Sequence, residues 1–359
     1  MRGLRRALFR RQRWPVQIIG PEFDHLGKSV PEYPPISSCI VPRKKAAVVA
    51  TMRNEGILIL EWVAHHRLLG FDSIIVYTND NDDGSDRLLR ALHRAGIITL
   101  VQNIVGPGVS PQFKAYRHAF YHFQEVADHE WVIFLDTDEF MIPMLDGKMV
   151  GIKEYIAHME NSGYSAVCLN WRWFPGNREF ERGRGLLFER YRQAGWNIHP
   201  KTLFRLRDAT AVEVHRPILL PGKARLHNDH IPAAELSRET AGRFGHINHY
   251  WNRSFQEYYF KRQRGRAAEL PQHGTELPRL AWEDFFTWGP QLSDLSDEPY
   301  PDARHIRRVK WQIALLKCNY RVWRASRKVE RIFRARVDNE EVRALYNSAK
   351  SAVGIPAAA

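Results

Sequence analysis

Apolar residues fall along the chain in two rhythms. Residues 46–51, 73–77, 97–102 and 131–135 are short runs, apolar on both faces. Runs of that length and continuity predict strands covered on both sides. Between them the spacing becomes helical. Leu58, Trp62, His65 and Leu69 share one side of a predicted helix over 58–69 that Gly70 stops. A second helix is expected over 86–95, capped by Asp82 or Asp83 and closed by Gly96, and a third over 111–126. Strand and helix alternating in this way predict an α/β fold with a mostly parallel sheet flanked by helices, whose ligands lie outside the carboxyl ends of the strands. After Pro301, the residues Ile306, Val309, Ile313, Leu316, Tyr320 and Trp323 recur at three- and four-residue steps. They predict one long amphipathic helix, with Arg307, Arg308, Lys310, Lys317, Arg321 and Arg324 on the other face. Its apolar stripe has two candidate partners, the α/β domain or another subunit, and its basic face suits anionic lipid. The chain therefore divides into a basic, then Pro-rich lead-in (1–44), an α/β domain (45–290) and a basic helical extension (291–359).

Polar residues cluster where the strands end. The run 131–135 stops at Asp136-Thr137-Asp138-Glu139. Three carboxylates at the end of a buried strand repel one another and are costly to desolvate, so a positive charge is expected beside them. On a regular strand Asp136 and Asp138 point to the same face, the arrangement a hard divalent cation bridging phosphate oxygens requires. The plain alternative is a strand that ends in a polar turn. His249, Arg253 and Lys261 could stabilise charge on a departing diphosphate, although a packed core histidine and a solvated basic helix face explain them as well. Trp171, Trp173, Trp251, Tyr258 and Tyr259 suit sugar rings or ordinary packing equally.

Composition narrows the classes. Hydrophobic residues make up 44% of the 359, ordinary for a soluble globular protein. No apolar run approaches the roughly 18 residues that span a bilayer, and no secretory h-region follows the basic N-terminus. Cys39, Cys168 and Cys318 are far apart, which fits neither a disulfide framework nor a zinc cluster. Neither Gly-x-Gly-x-x-Gly nor a Walker sequence is present. The net charge of +13 calls for an anionic partner. At the N-terminus, Arg2, Arg5, Arg6, Arg10, Arg11 and Arg13 interleave with Leu4, Leu8, Phe9 and Trp14, either as an amphipathic helix for an anionic membrane or as a basic tail.

The ordered pieces VVATMRNEGILILEWVAHHRLLGFDSIIVYTNDNDDGSD, PQFKAYRHAF, WVIFLDTDEF, NWRWFPGN, HPKTLFRL, VHRP and INHYWNRSFQEYYFKRQRGR resemble bacterial family 2-type glycosyltransferases of the GT-A fold, close to the branch related to family 92. The resemblance covers roughly 45–290. It implies that Thr51, Arg53, Glu55, Asn79, Asp80 and Asp83 hold the base and ribose of a nucleotide-sugar donor. Many family 2 enzymes carry paired aspartates where this chain has Thr78-Asn79. Gln112, Lys114 and Lys261 join the expected donor site. Asp136-Thr137-Asp138 matches the DxD motif, with Asp138 on Mn²⁺ or Mg²⁺, Asp136 on the metal or the ribose, and His249 as a further ligand. An inverting transfer also needs a base. The candidates are His215, Asp229, Glu139 and Asp284, with His215 preferred and a structural histidine as its competing explanation. The implied partners are a nucleotide sugar, a glycan or glycolipid acceptor and an anionic membrane, with no nucleic acid. The implied place is the cytoplasm, on the inner membrane face, in surface polysaccharide synthesis. Two other classes were weighed. A haloacid-dehalogenase-type phosphohydrolase shares the apolar-run-Asp-x-Asp pattern but starts its core with that strand. A basic nucleic-acid-binding protein leaves the acidic strand ends unexplained.

Overall fold

The computed structural model describes residues 15–226, 237, 240–264, 281–290 and 294–355. The basic segment 1–14 and the base candidate Asp229 lie outside the described residues. In chain order the strands are β1 (Gln17–Ile19), β2 (Lys44–Met52), β3 (Ser73–Thr78), β4 (Thr99–Asn103), β5 (His129–Leu135), β6 (Glu139–Leu145), β7 (Lys148–Met149), β8 (Tyr164–Trp173), β9 (Gln193–Arg205), β10 (Ala209–Val212), β11 (Pro217–Leu219), β12 (Ala224–Leu226), β13 (Gly245–His249) and β14 (Ser296–Asp297). The longer helices are α1 (Gly56–Leu69), α2 (Ser85–Arg94), α3 (Pro111–Tyr121), α4 (Ile152–Asn161), α5 (Phe255–Arg264), α6 (Ala303–Lys317), α7 (Tyr320–Val337) and α8 (Glu340–Ala352).

One large sheet runs in the order β1-β4-β3-β2-β5-β9-β8-β13-β6-β7, with β12 beside β8 and β14 beside β9. The first five strands of that order are parallel. The remainder is mixed, since β9 runs against both β5 and β8, and β13 runs with β8 but against β6. This is the GT-A-like α/β architecture. Period-two alternation divides the buried strands between two cores. Val48, Val76, Leu100 and Ile133 face α1 and α2, while Val49, Ile75, Val101 and Val132 face α3.

Two elements differ from the sequence expectation. The helix expected over 111–126 ends at Tyr121, and a separate turn follows at Gln124–Ala127. Between them Phe123 adopts extended backbone and turns its ring into the core. The single long C-terminal helix is three helices, restarted at Asn319 and Asn339, whose Oδ1 atoms accept from Arg321 N and Val342 N. Ile306, Val309 and Leu316 of α6 are buried as expected. The restart resets the phase, so α7 buries Val322, Ala325, Val329 and Phe333. Tyr320 and Trp323 are 65% and 45% exposed. The stripe packs on the α/β domain, with α6 on α1 and α7 on α2, α1 and α5.

The docking of α6 brings in a buried histidine cluster. Nδ1 of His65 lies 3.1 Å from Nε2 of His305, and its Nε2 bonds the Met141 carbonyl at 2.8 Å. Nδ1 of His66 bonds the Trp62 carbonyl. Burial holds these rings neutral. His65 lies well below the usual histidine range, His66 at about 3 and His305 at about 4; burial likewise lowers His118 to about 3 and His129 to about 4. An unfolded chain protonates these residues near pH 6.5 and the folded chain does not. Stability is therefore lost as pH falls from about 6.5 towards 4, each ring contributing about 1.4 kcal/mol per pH unit. Glu61 and Glu139, raised to about 8 by burial, act in the opposite sense between about 8 and 4.5, but the five histidines outnumber them. The melting temperature should fall from about pH 6.5 to pH 5; a flat profile over that range would contradict the buried-neutral assignment.

Candidate functional site

From β2 the chain proceeds to β3 and β4 on one side and later returns as β5 on the other. The carboxyl ends of β2 and β5 therefore flank a topological switch point, where open α/β sheets leave a crevice. Ala50 of β2 is paired with Leu135 of β5, and Met52 with Thr78 of β3. Thr51, Asn79 and Asp136 consequently lie along one edge of the sheet.

Asp136, Thr137 and Asp138 are not on a strand. β5 stops at Leu135, and the Glu139 amide donates back to the Asp136 carbonyl at 3.1 Å, which closes a tight turn. The same-face argument for the two aspartates is thereby corrected, because each takes its own partners. Asp136 Oδ1 accepts from Gln112 Nε2 at 2.7 Å and the Tyr116 hydroxyl at 3.3 Å. Its Oδ2 lies 3.3 Å from Lys201 Nζ. Glu139 Oε2 caps the turn from within, accepting from the Asp136 amide at 2.8 Å and standing 3.4 Å from the same ammonium. Nε1 of Trp62 donates to the Asp136 and Glu139 carbonyls. Burial pushes Glu139 up to about 8 against the pull of Lys201, with Asp136 adding to the rise. Burial would lower Lys201, but Asp136 and Glu139 more than offset it and hold its ammonium well above the usual range.

The positive charge expected beside the carboxylates is thus partly built in. Lys201 is one source, from β9, and Lys261 of α5 is the second. Lys261 Nζ lies 2.7 Å from Asp138 Oδ2 and over the Trp251 ring. Burial would raise Asp138, but Lys261 holds it well below the usual carboxylate range. The other oxygen, Oδ1, faces His249 Nε2 at 3.9 Å. β13 delivers His249 opposite Glu139, and burial lowers its ring to about 3, leaving a neutral imidazole. Its Nδ1 is buried without a hydrogen-bond partner among the described residues. Trp171 packs on this ring with centroids 4.2 Å apart, and Trp173, Trp251 and Trp288 extend the aromatic wall. Arg253 is buried with φ +54, its Nη1 3.8 Å from Glu55 Oε2. Gly176 lets the Arg253 backbone pass close by, since a Cβ there would collide with the Arg253 carbonyl.

Among the described residues, no group of three or more His, Cys, Asp or Glu side chains could hold a metal ion by itself. Asp138 Oδ1 and the neutral His249 nevertheless supply one oxygen and one nitrogen donor facing each other. That donor set fits a Mg²⁺- or Mn²⁺-type ion that takes its other ligands from phosphates and water. Both oxygens of Asp136 are already engaged.

The remaining expected donor-site residues divide. Thr51 and Arg53 are half-buried and Asp80 is exposed at the rim, with Asn79 Nδ2 donating to Asp80 Oδ2. Glu55 begins α1 beside Arg253, and Gln112 reaches Asp136. Two residues have structural roles instead. Asp83 is buried, accepting from the Gly56 and Ser85 amides at 2.9 and 2.8 Å, so its carboxylate is committed to two helix starts. Lys114 is fully buried; its ammonium bonds Asp24 at 2.6 Å and the Gly20 and Ile104 carbonyls, pinning the lead-in rather than reaching the crevice. The base candidate His215 follows β10, which ends at Val212 rather than 214, in the turn of the β10–β11 hairpin. Its Nδ1 faces the Pro200 carbonyl at 3.0 Å, so Nδ1 carries the proton and Nε2 keeps the lone pair. Burial, with Lys201 nearby, lowers it to about 4. Asp284 accepts from the Ala281 amide. The sequence reading assigns no role to Lys201. The available signal was one lysine entering the apolar run TLF.

The model of the family described as glycosyltransferase family 92 matches residues 49–278, more than half of the chain. The chain belongs to glycosyltransferase family 92. It is 26% identical over 123 residues to a family 92 protein of Ricinus communis, covering 34% of this chain and 21% of that protein. It is 28% identical over 102 residues to one of Oryza sativa subsp. japonica, covering 28% of this chain and 17% of that protein. The chain thus spans about a fifth of the length of these relatives. Among solved structures, Staphylococcus aureus TarS 1–349 is 12% identical, covers 86% of this chain and 92% of that one, and gives a TM-score of 0.29. A mycobacterial protein is 15% identical over 75% and 83% of the two chains, with a TM-score of 0.30. At these scores neither carries further argument.

Proposed function

We propose that the family 92 chain moves a sugar from a nucleoside-diphosphate donor to a glycan or glycolipid hydroxyl, with inversion and with Mn²⁺ or Mg²⁺. The observation that carries this is the convergence of Asp138, His249, Lys261 and Arg253 at the β2–β5 switch point. Thr51, Arg53, Asn79 and Asp80 line the base and ribose side, and Asp136 faces the ribose. Asp138 and His249 would hold the metal, whose chemistry is to stabilise charge on the leaving diphosphate. Lys261 and Arg253 add cationic charge at the same place. His215, neutral with Nε2 as its acceptor, takes the acceptor hydroxyl's proton. Trp171, packed on His249, His199 and His215, holds these rings together at the acceptor side. Surface polysaccharide synthesis is the biological role consistent with such an acceptor. A thermal-shift screen of nucleotide sugars is the direct test. One donor should raise the melting temperature with Mn²⁺ and much less with chelator. His215→Asn should keep that shift and lower transfer by about 100-fold or more. A screen in which no nucleotide sugar binds, with or without metal, would remove the donor reading.

A further inference from the structure

The exposed aromatic residues of α6 and α7 form a surface that the crevice does not use. Trp311 is 59% exposed, Tyr320 65% and Trp323 45%, and the Tyr320 and Trp323 rings stack at 5.8 Å. On α7, Tyr320, Trp323, Arg324 and Arg327 share one face at helical spacing, opposite the buried Val322, Ala325 and Val329. On α6, Arg307, Arg308 and Trp311 likewise point away from the side docked on α1. The two helices follow one another across Cys318-Asn319, and both dock on α1. From residue 303 to 329 the sequence contains no carboxylate; Asp302 and Glu330 bracket the stretch.

Large exposed aromatic side chains need a reason, and here they stand within a field of one sign. A second copy of the chain seated face to face would set arginine against arginine. Duplex nucleic acid would neutralise the arginines but offers exposed rings no apolar medium to enter. The headgroup–acyl boundary of an anionic bilayer accepts both features, taking the body of a Trp or Tyr ring with its polar edge in the headgroups and pairing each guanidinium with a lipid phosphate. We infer that the outward face of α6 and α7, centred on Trp311, Tyr320 and Trp323, is a docking surface for an anionic membrane. No helix among the described residues is long and apolar enough to cross a membrane, so contact here is peripheral. The surface is separate from the crevice residues, and the segment 1–14 is not needed to define it.

The test is sedimentation of the full chain with phosphatidylcholine vesicles, with and without an equal part of phosphatidylglycerol. The full chain should bind the anionic vesicles at least about tenfold more strongly than the neutral ones and be released by salt. Because residues 1–14 remain in every variant, differences report on the helices. The variant W311A/Y320A/W323A should bind about tenfold less with an unchanged melting temperature. The variant R308Q/R324Q/R327Q should lose about 100-fold, at about fivefold for each charge removed. Wild-type-like binding by both variants overturns the assignment, as does no vesicle binding by the full chain. A dimer in light scattering that the aromatic variant dissolves, without vesicle binding, gives the face to a second copy. Oligonucleotide binding lost in the charge variant, again without vesicle binding, gives it to nucleic acid.

Discussion

Asp138→Ala is expected to lower sugar transfer by at least about a thousandfold, the scale on which a preorganised charge aimed at the reacting centre operates. Asp138 brings together the parts of the proposed diphosphate site. Its Oδ2 fixes Lys261 at 2.7 Å and its Oδ1 faces His249. Removing it takes away the proposed metal donor and the carboxylate that pairs with Lys261. Asp138→Asn separates the two effects, since the amide keeps the shape of the turn and still accepts a hydrogen bond but carries no charge. Both variants should retain the far-ultraviolet circular dichroism of the parent, because the turn is also closed by the Glu139 amide and by Glu139 Oε2. Steady-state transfer with saturating Mn²⁺ is the measurement. Transfer within tenfold of the parent in Asp138→Ala, with chelator present, would take both the carboxylate and the metal out of the reaction.

The second large effect is on stability. Lys201→Met should destabilise the fold by about 3–5 kcal/mol at pH 9, because it leaves Glu139 buried without its cation. Lys201 and Glu139 are both fully buried, whereas the Asp136 side chain is 35% exposed and can turn to water. Glu139 therefore bears most of the loss. Its pKa, raised to about 8 by burial even with Lys201 present, rises further without it. A protonated Glu139 needs no counter-charge, so the penalty should shrink markedly by pH 6. Urea unfolding at the two pH values measures it. A loss below about 1 kcal/mol at pH 9 would show that the ammonium is not what holds the turn.

The strand–helix alternation was legible because parallel strands buried on both faces appear as unbroken apolar runs, and Gly70 marks the end of α1 in the left-handed conformation. The crevice was legible in outline because each strand gives way abruptly to polar residues. What failed to show depends on long-range contacts. Lys201 lies 65 residues beyond Asp136, and a lysine entering an apolar run does not by itself name that partner. Lys114 and Asp83 carry the residue types of a donor site, yet each is consumed by a neighbour that folding delivers. The outward position of Tyr320 and Trp323 was hidden for a different reason. Counting helical steps across Cys318-Asn319 assumes one continuous helix, and a single Asn cap changes the phase.

The anchoring of the lead-in places the folding boundary well before the motif boundary. β1 covers the open edge of β4 through Gln17, Ile18 and Ile19, and Asp24 with the Gly20 carbonyl keeps the Lys114 ammonium satisfied in the interior. A chain trimmed to begin at residue 45, where the recognisable sequence starts, would present β4 as a bare strand edge ready to pair with another molecule. It would also strand a buried cation in the helix that positions Gln112 against Asp136. Trimming there would favour aggregation and loosen the crevice from behind, so recombinant boundaries for this protein belong upstream of Gln17.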